Sequence, residues 1–529
     1  MKRFIGFIVL FLVLMTTAVT IQAAPAATLT VTNTNDSGAG SLRAQIAAAN
    51  PGDTIQFNAA LSGQTITLTS GEIVFSKNLT IDGSTLANSL TISGNENSRI
   101  FYITAGTVNI TGLRFIDGAS NDGDPGVWDG DGGAVYIRDN ATVTIDSSEF
   151  VNNQSQSNGG ALYIWESTVT LANNTFTNNS TLYAGGAIRT VSAQSVLVTD
   201  NTFVDNTASE GGAIWASGGA EVLTNNTFYN NNGSYTVFLY NTLNLNNNTF
   251  LGNDGVFVRN GAAVLHMRNN IIGSCLVVGG GTIATNVNNW IVNGSCSPAY
   301  SGNPYLMPLA DNGGATQTAA LMPFSSAINA GASSCPATDQ RGQARGATCD
   351  LGAYETQSSD YQTNQCYSGL VQGETYAFGA TGILITVDTV GSLTELCAQL
   401  TQSNHPNATA GIQTGRYWTV TPTAGVSNWS VTMSAPATMT LDGDDKLCRY
   451  TGTGAVWDCA MTSIDNTNNR ITRSGITQLS PWAVGDGVGP TAVSLQSLSA
   501  QSPIALPVLV LLLLVMMGIT AVFFRRAAR

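Results

Sequence analysis

Between residues 130 and 272 the chain alternates short apolar runs with glycine- and asparagine-rich turns, and the pattern returns with a period near 26. Gly-Gly-Ala recurs at 132, 159, 185 and 211. A second run ends in phenylalanine each time, at Phe150, Phe176, Phe203, Phe228 and Phe250, with spacings of 26, 27, 25 and 22. Within the runs the apolar residues alternate, as in Val169 and Leu171 or Val196 and Val198, which marks one face of a strand as buried. The inward residues and the phenylalanines are therefore expected to stack into a continuous core. Less regular copies begin at Leu79, Leu90 and Val108, and Leu265 to Ile272 reads as a later one.

A repeat of this length built from short strands means stacked coils. Parallel strands joined by short turns cannot form a flat sheet without long crossovers, so the expected architecture is a right-handed parallel β-helix over residues 28–300. Asn174, Asn201, Asn226 and Asn248 stand two residues before a phenylalanine, where the chain turns. Asparagine tolerates unusual φ and can bond its copy in the next coil. Residues 41–50 read as an amphipathic helix with Leu42, Ile46 and Ala49 on one side, stopped by Pro51-Gly52, and serve as the cap of the open front end. From 361 to 487 the repeat is gone and short alternating segments predict a small β-sandwich-like domain. The fold class is all-β: a parallel β-helix, this second domain, and a C-terminal transmembrane helix.

The two ends speak of location. Lys2-Arg3, the apolar run Phe4 to Met15 and small residues near Ala23 have the layout of a secretory signal peptide, assigned to 1–23. After a linker at 488–503, the segment 504–524 contains eighteen uncharged residues, Pro507 to Phe524, and reads as a transmembrane or sorting segment, with 525–529 as a cytoplasmic basic tail. The 33 acidic residues of the 529-residue chain lie between these ends beside only 15 of the 20 basic ones, a formal charge of −18 that argues against nucleic acid as a partner. Cys275, Cys296, Cys335, Cys349, Cys366, Cys397, Cys448 and Cys459 form an even set in an exported chain and are expected to be disulfide-bonded, with connectivity open.

Thr28 to Arg43, with Asn50-Pro-Gly-Asp-Thr-Ile-Gln-Phe57, resembles the start of bacterial surface β-helix proteins of pectin-lyase-like fold with a CSLREA motif, although this copy lacks that motif's cysteine. Asn303 to Thr318, Asp339-Gln-Arg-Gly-Gln-Ala-Arg345 and Cys349-Asp-Leu-Gly-Ala-Tyr-Glu355 resemble the choice-of-anchor Q domain, so 301–356 is expected to end the β-helix. That resemblance implies a bacterial cell-surface location and a C-terminal anchor, and no established activity.

Three functions remain open: adhesion or glycan binding without catalysis, a polysaccharide lyase or glycoside hydrolase, and a structural spacer. Four residues after the start of each Gly-Gly-Ala come Tyr136, Tyr163, Arg189 and Trp215, with aliphatic neighbours that point inward. With Trp165 beside them, they are expected to line an outer face as a track for sugar rings, or else to form a structural ladder. Asp122, Asp124, Asp129 and Asp131 share a glycine-rich loop and are the candidate ligands for Ca²⁺, though a solvated turn explains them too. Otherwise no cofactor is expected. For an enzyme, Asp129, Asp131 and Arg138 are the catalytic candidates. Asp131 and Glu210 share a column but are three coils apart, about 14 Å at ~4.8 Å per rung, too far to work as a hydrolase pair. His266 and His405 are the only histidines, and His266 is expected to point outward to solvent. Asp442-Gly-Asp-Asp445 has the same ambiguity as the loop at 122–131. Glu221 falls on an inward position, and Gly218-Gly219 is expected to hide a bulge that turns it outward.

Overall fold

In the computed structural model the chain divides into two compact units, Met1–Ser358 and Ser359–Arg529. The structure describes residues 25–485 apart from 121–129, 253–254, 322–324, 333, 358–363, 402–404, 409–411, 413–415, 423–425, 438–440, 453–455, 467–468 and 480. The expected signal peptide, linker, membrane or sorting segment and basic tail lie outside the described residues. Among the described residues no helix is long and apolar enough to cross a membrane.

The first unit is a parallel β-helix. Among the described residues its strands form three large parallel sheets of eleven, ten and nine strands and a small one of three. One coil shows the plan: Val135–Ile137 belongs to the nine-stranded face, Thr142–Asp146 to the eleven-stranded face and Glu149–Val151 to the ten-stranded face. Inward residues keep register from coil to coil, as where Val143 faces Val169 and Ile145 faces Leu171. The phenylalanines stack as expected. Phe150, Phe176, Phe203 and Phe228 lie with ring centroids 4.8 Å apart and planes within 9° of parallel. A coil spacing of about 4.8 Å also falls in the ~4.5–7 Å range of centroid distances that offset-stacked rings prefer, so one geometry suits both backbone and core.

The asparagines form a ladder through the same interior. Asn174, Asn201, Asn226, Asn248, Asn270 and Asn289 are fully buried. The amide of Asn201 donates to Asn226 Oδ1 at 2.9 Å from the backbone and 3.1 Å from the side chain, and its side chain also donates to Leu171 O at 2.9 Å. In return Asn201 Oδ1 accepts from Asn174. A second ladder, three residues after the phenylalanines, joins Asn153, Asn179, Asn206 and Asn231 in the same way. The positive φ expected of the first ladder belongs instead to the residue before each rung, with values of 55°, 59°, 53° and 52° at Asn173, Asp200, Asn225 and Asn247. One residue makes the left-handed turn and the next fills the hydrogen-bond column. Gly-Gly has a parallel explanation. The first glycine has positive φ, and a Cβ on the second, as at Gly160, would collide with the carbonyl of the next coil.

At the front, Leu42–Ala48 is helical, with Ser41 Oγ accepting from Ala44 N–H at the N-cap and Leu42 and Ile46 buried over the core. Beyond Tyr300 no further coil is present among the described residues. The chain makes an antiparallel pair, Leu306–Ala310 with Thr318–Leu321, and then a strap that runs back along the flank of the coils. Gln340 bonds Thr202 and Thr227, Arg345 bonds Asn225, and Gly352 N–H donates to Asn269 O. The strap is closed by buried ion pairs, Arg341 with Asp339 at 2.9 Å and Arg345 with Glu355 at 3.0 Å. Thus the Asp339-to-Arg345 and Cys349-to-Glu355 motifs act as a clasp. The cysteines of this unit pair as Cys275–Cys296 and Cys335–Cys349.

The second unit contains, among the described residues, antiparallel sheets of six and five strands. Side chains from both sheets share one core, with Trp418 and Trp482 from one and Ile385, Val431 and Met433 from the other. Cys366–Cys397 and Cys448–Cys459 join directly opposed residues and pin the outermost strands of the six-stranded sheet, Asn364–Ser368 and Trp457–Ala460, to their neighbours. These cross-links tie each edge strand to its inner neighbour and so oppose fraying at both ends of the sheet.

The two turn positions predict opposite responses. Asn174→Ala is expected to lower the urea midpoint by the equivalent of about 1–3 kcal/mol for each group left unpaired, whereas Asn173→Gly is expected to stay within about 1 kcal/mol of wild type. Glu355→Ala leaves Arg345 buried without its carboxylate and is expected to cost roughly 3–5 kcal/mol in the same measurement.

Candidate groove on the nine-stranded face

The register places Tyr136, Tyr163, Arg189 and Trp215 in one column on the outer side of the nine-stranded sheet. The column runs further than the repeat suggested, from Tyr102 before it to Phe238 and Phe257 after it. Tyr102 escaped notice because the insertion at 121–129 stretches its coil, and the Phe238 coil has no Gly-Gly-Ala.

The column faces outward, yet the expected open track of rings is not there. Tyr136, Tyr163 and Trp215 are 4%, 8% and 8% exposed, because they pack on one another and on the adjoining coil edge. Tyr136 lies 5.1 Å from Tyr102 and 5.0 Å edge-on from Tyr163, while the Arg189 guanidinium sits 4.2 Å above Trp215. What solvent reaches is the rim: Trp165 and Arg189 are half-buried, and Tyr183 is 62% exposed.

Two clefts open along this face. The first, about 310 Å³, is lined by Tyr136, Tyr163, Trp165, Arg189 and Val191. The second, about 550 Å³, is lined chiefly by Tyr183, Arg189, Glu210, Trp215, Tyr240 and Arg259. Arg189 is common to both, so the two clefts adjoin at its side chain. Ala184 and Glu210 wall the second cleft and continue an edge column, a wall of paired coil edges that starts at Asp131 and Asn158. Asn158 accepts from Arg189 and donates to Asp131 Oδ1 at 2.7 Å, and Glu210 pairs with Arg259 at 3.0 Å. Arg99 fixes the start of this wall by donating to the Asp131 carbonyl at 2.8 Å and pairing with Glu72.

Burial, followed by the nearby Asp131 carboxylate, pushes the Tyr163 phenol well above its ordinary value. For Tyr136 burial is again first, followed by Tyr163. Burial lowers the Arg189 guanidinium from its usual value, opposed by Tyr163 and Asp131.

Residues 100–294 match the family model for the right-handed beta helix region. No curated protein matches the chain. The matched region contains every residue lining the two clefts, and stops before the strap and the second unit.

Of the catalytic and metal candidates, Asp122, Asp124 and Asp129 lie outside the described residues. Asp131 is fully buried in the β-helix region and bonded to Asn158 and Tyr163, so its carboxylate is held by the wall. Arg138 donates to Tyr102 Oη at 3.0 Å, stacks 4.8 Å from Trp165 and pairs with its neighbour Asp139. His266 is half-buried on the eleven-stranded face, with Nδ1 2.9 Å from Thr285 Oγ1. Asp442 and Asp445 close a turn on themselves through the Asp442 N–H to Asp445 Oδ2 bond of 2.7 Å. Among the described residues the only group of three metal-type donors close together is Cys366, Glu395 and Cys397, whose sulfurs are joined in a disulfide.

The expected bulge at Gly218-Gly219 does not turn Glu221 outward. Ala220–Thr224 pairs residue for residue with the strands on either side, and Glu221 stays inside at 1% exposure.

A spectrophotometric titration tests the packing of the column. Tyr136 and Tyr163, together with the half-buried Tyr367 of the second unit, are expected to stay protonated after exposed tyrosines have ionised near pH ~10, and Tyr163→Phe is expected to remove one phenol from the late phase.

Proposed function

We propose that the β-helix region is a saccharide-binding module displayed on the outside of a cell by an exported, membrane-anchored protein. The reading rests on the two adjoining clefts that share Arg189. Each falls within the ~300–1,000 Å³ common for ligand sites and combines aromatic walls with a few fixed polar groups. Trp165 and Tyr183 offer the faces on which a sugar ring would lie, and Arg189 and Glu210 offer hydrogen bonds to its hydroxyls. Four disulfides suit an oxidising compartment. The N-terminal pattern at 1–23 and the apolar segment at 504–524 supply the export and anchoring parts of the proposal.

A lyase or hydrolase remains the alternative for the same clefts, though the engagement of Asp131 with Asn158 and of Arg138 with Trp165 gives it no added support. The spacer reading has one observation in its favour, the burial of Tyr136, Tyr163 and Trp215, since a covered ladder stiffens a solenoid without needing a ligand.

The test is a glycan array and a depolymerisation assay on the purified protein, each with Ca²⁺ and with chelator, beside a Trp165→Ala/Tyr183→Ala variant. Binding without cleavage is expected, weakened about tenfold or more in the variant, since two stacked rings contribute ~1–3 kcal/mol. Cleavage that chelator abolishes would replace this reading with the enzymatic one, and silence in both assays would leave the spacer.

A further inference from the structure

One inward column of the eleven-stranded face reads Val108, Val143, Val169, Val196, Glu221, Leu243 and Leu265. A carboxyl group thus stands where every neighbouring coil in the column has an aliphatic side chain. Its Oε1 accepts from the Thr190 hydroxyl and from Gly218 N–H at 3.0 Å. Oε2 is buried with no hydrogen-bond partner among the described residues. Thr190 in turn accepts from Ser217 N–H at 2.9 Å, so the group is knitted into the turn that follows Trp215.

No charge faces it. Val196 and Leu243 lie opposite on the adjoining strands, Leu223 follows on its own strand, and Ala193 adjoins Gly218. Ser195–Thr199, Thr242–Asn246 and Ile214–Ala216 carry no titratable side chain. Arg189, on the strand that supplies Thr190, points the other way into the clefts, and Asp200 beyond Thr199 lies beside Asn225 and Arg345.

We infer that Glu221 makes the coils carrying Arg189 and Trp215 a pH-dependent latch, held when its carboxyl is protonated and loosened when it ionises. Burial pushes the carboxyl up to about 7, opposed by the Thr190 and Gly218 hydrogen bonds. The folded coil therefore holds the proton more tightly than an opened coil does. Its added stability is complete below the ordinary glutamate value of 4.5 and is lost as pH rises through about 7. Because a solenoid coil contacts only its neighbours, this loss acts locally, where the two clefts share Arg189. The latch concerns coil stability and holds whether or not the clefts take a saccharide.

The test is hydrogen exchange on the intact protein at pH 6 and pH 8, read as the wild-type rate divided by that of Glu221→Gln at each pH. The division cancels the base catalysis of exchange and the titration of Asp200. Peptides covering 186–194 and 214–224 are expected to show this ratio rising about tenfold between the two pH values, with peptides around Phe115 unchanged. Glu221→Val, which restores the column, is expected to be as insensitive to pH as Glu221→Gln and to remain folded. A flat ratio, or a rise shared equally by all coils, would overturn the inference.

Discussion

The architecture depends on one constraint: polar groups carried into the core at each turn must be hydrogen-bonded there. The ladder meets it by having every rung pair with its own copy one coil away. Asn201 is held from both sides, and the same holds for Asn226 and Asn248. A slip of one residue would strand several buried donors at once, and that penalty fixes the register. The phenylalanine stack and the aliphatic columns follow from that register.

Fixed register on the inside also builds the outside. The outer column of the nine-stranded face is continuous because the inward neighbours of Tyr136, Tyr163 and Arg189 are locked in place. Its rings cover one another and leave the rim residues to meet solvent. The strap adds a second layer of control. Gln340 and Arg345 reach the turns next to the asparagine ladder, so the buried ion pairs of residues 339–355 brace the coils from outside.

Glu221 is the exception within this order. The repeat demands an apolar residue, and the chain instead spends a carboxyl there, satisfied on one oxygen by Thr190 and Gly218. Such a local departure in an otherwise consistent sequence is of the kind expected at functional or strained sites.

The sequence by itself determined the coil period, the inward faces, the phenylalanine stack, the first asparagine ladder and the column from Tyr136 to Trp215. Each of these repeats, and a repeat converts linear spacing directly into stacking. Tertiary structure decided what does not repeat. The burial of Tyr163 and Trp215 depends on how neighbouring rings and the Asn158 wall close over them, and the path of the strap depends on partners more than a hundred residues away, such as Thr227 for Gln340. Which turn residue takes positive φ, and that Glu221 stays inside, were likewise settled by packing. Propensity allows asparagine either role and glycine pairs a bulge, whereas only the hydrogen bonds of adjacent coils select one arrangement.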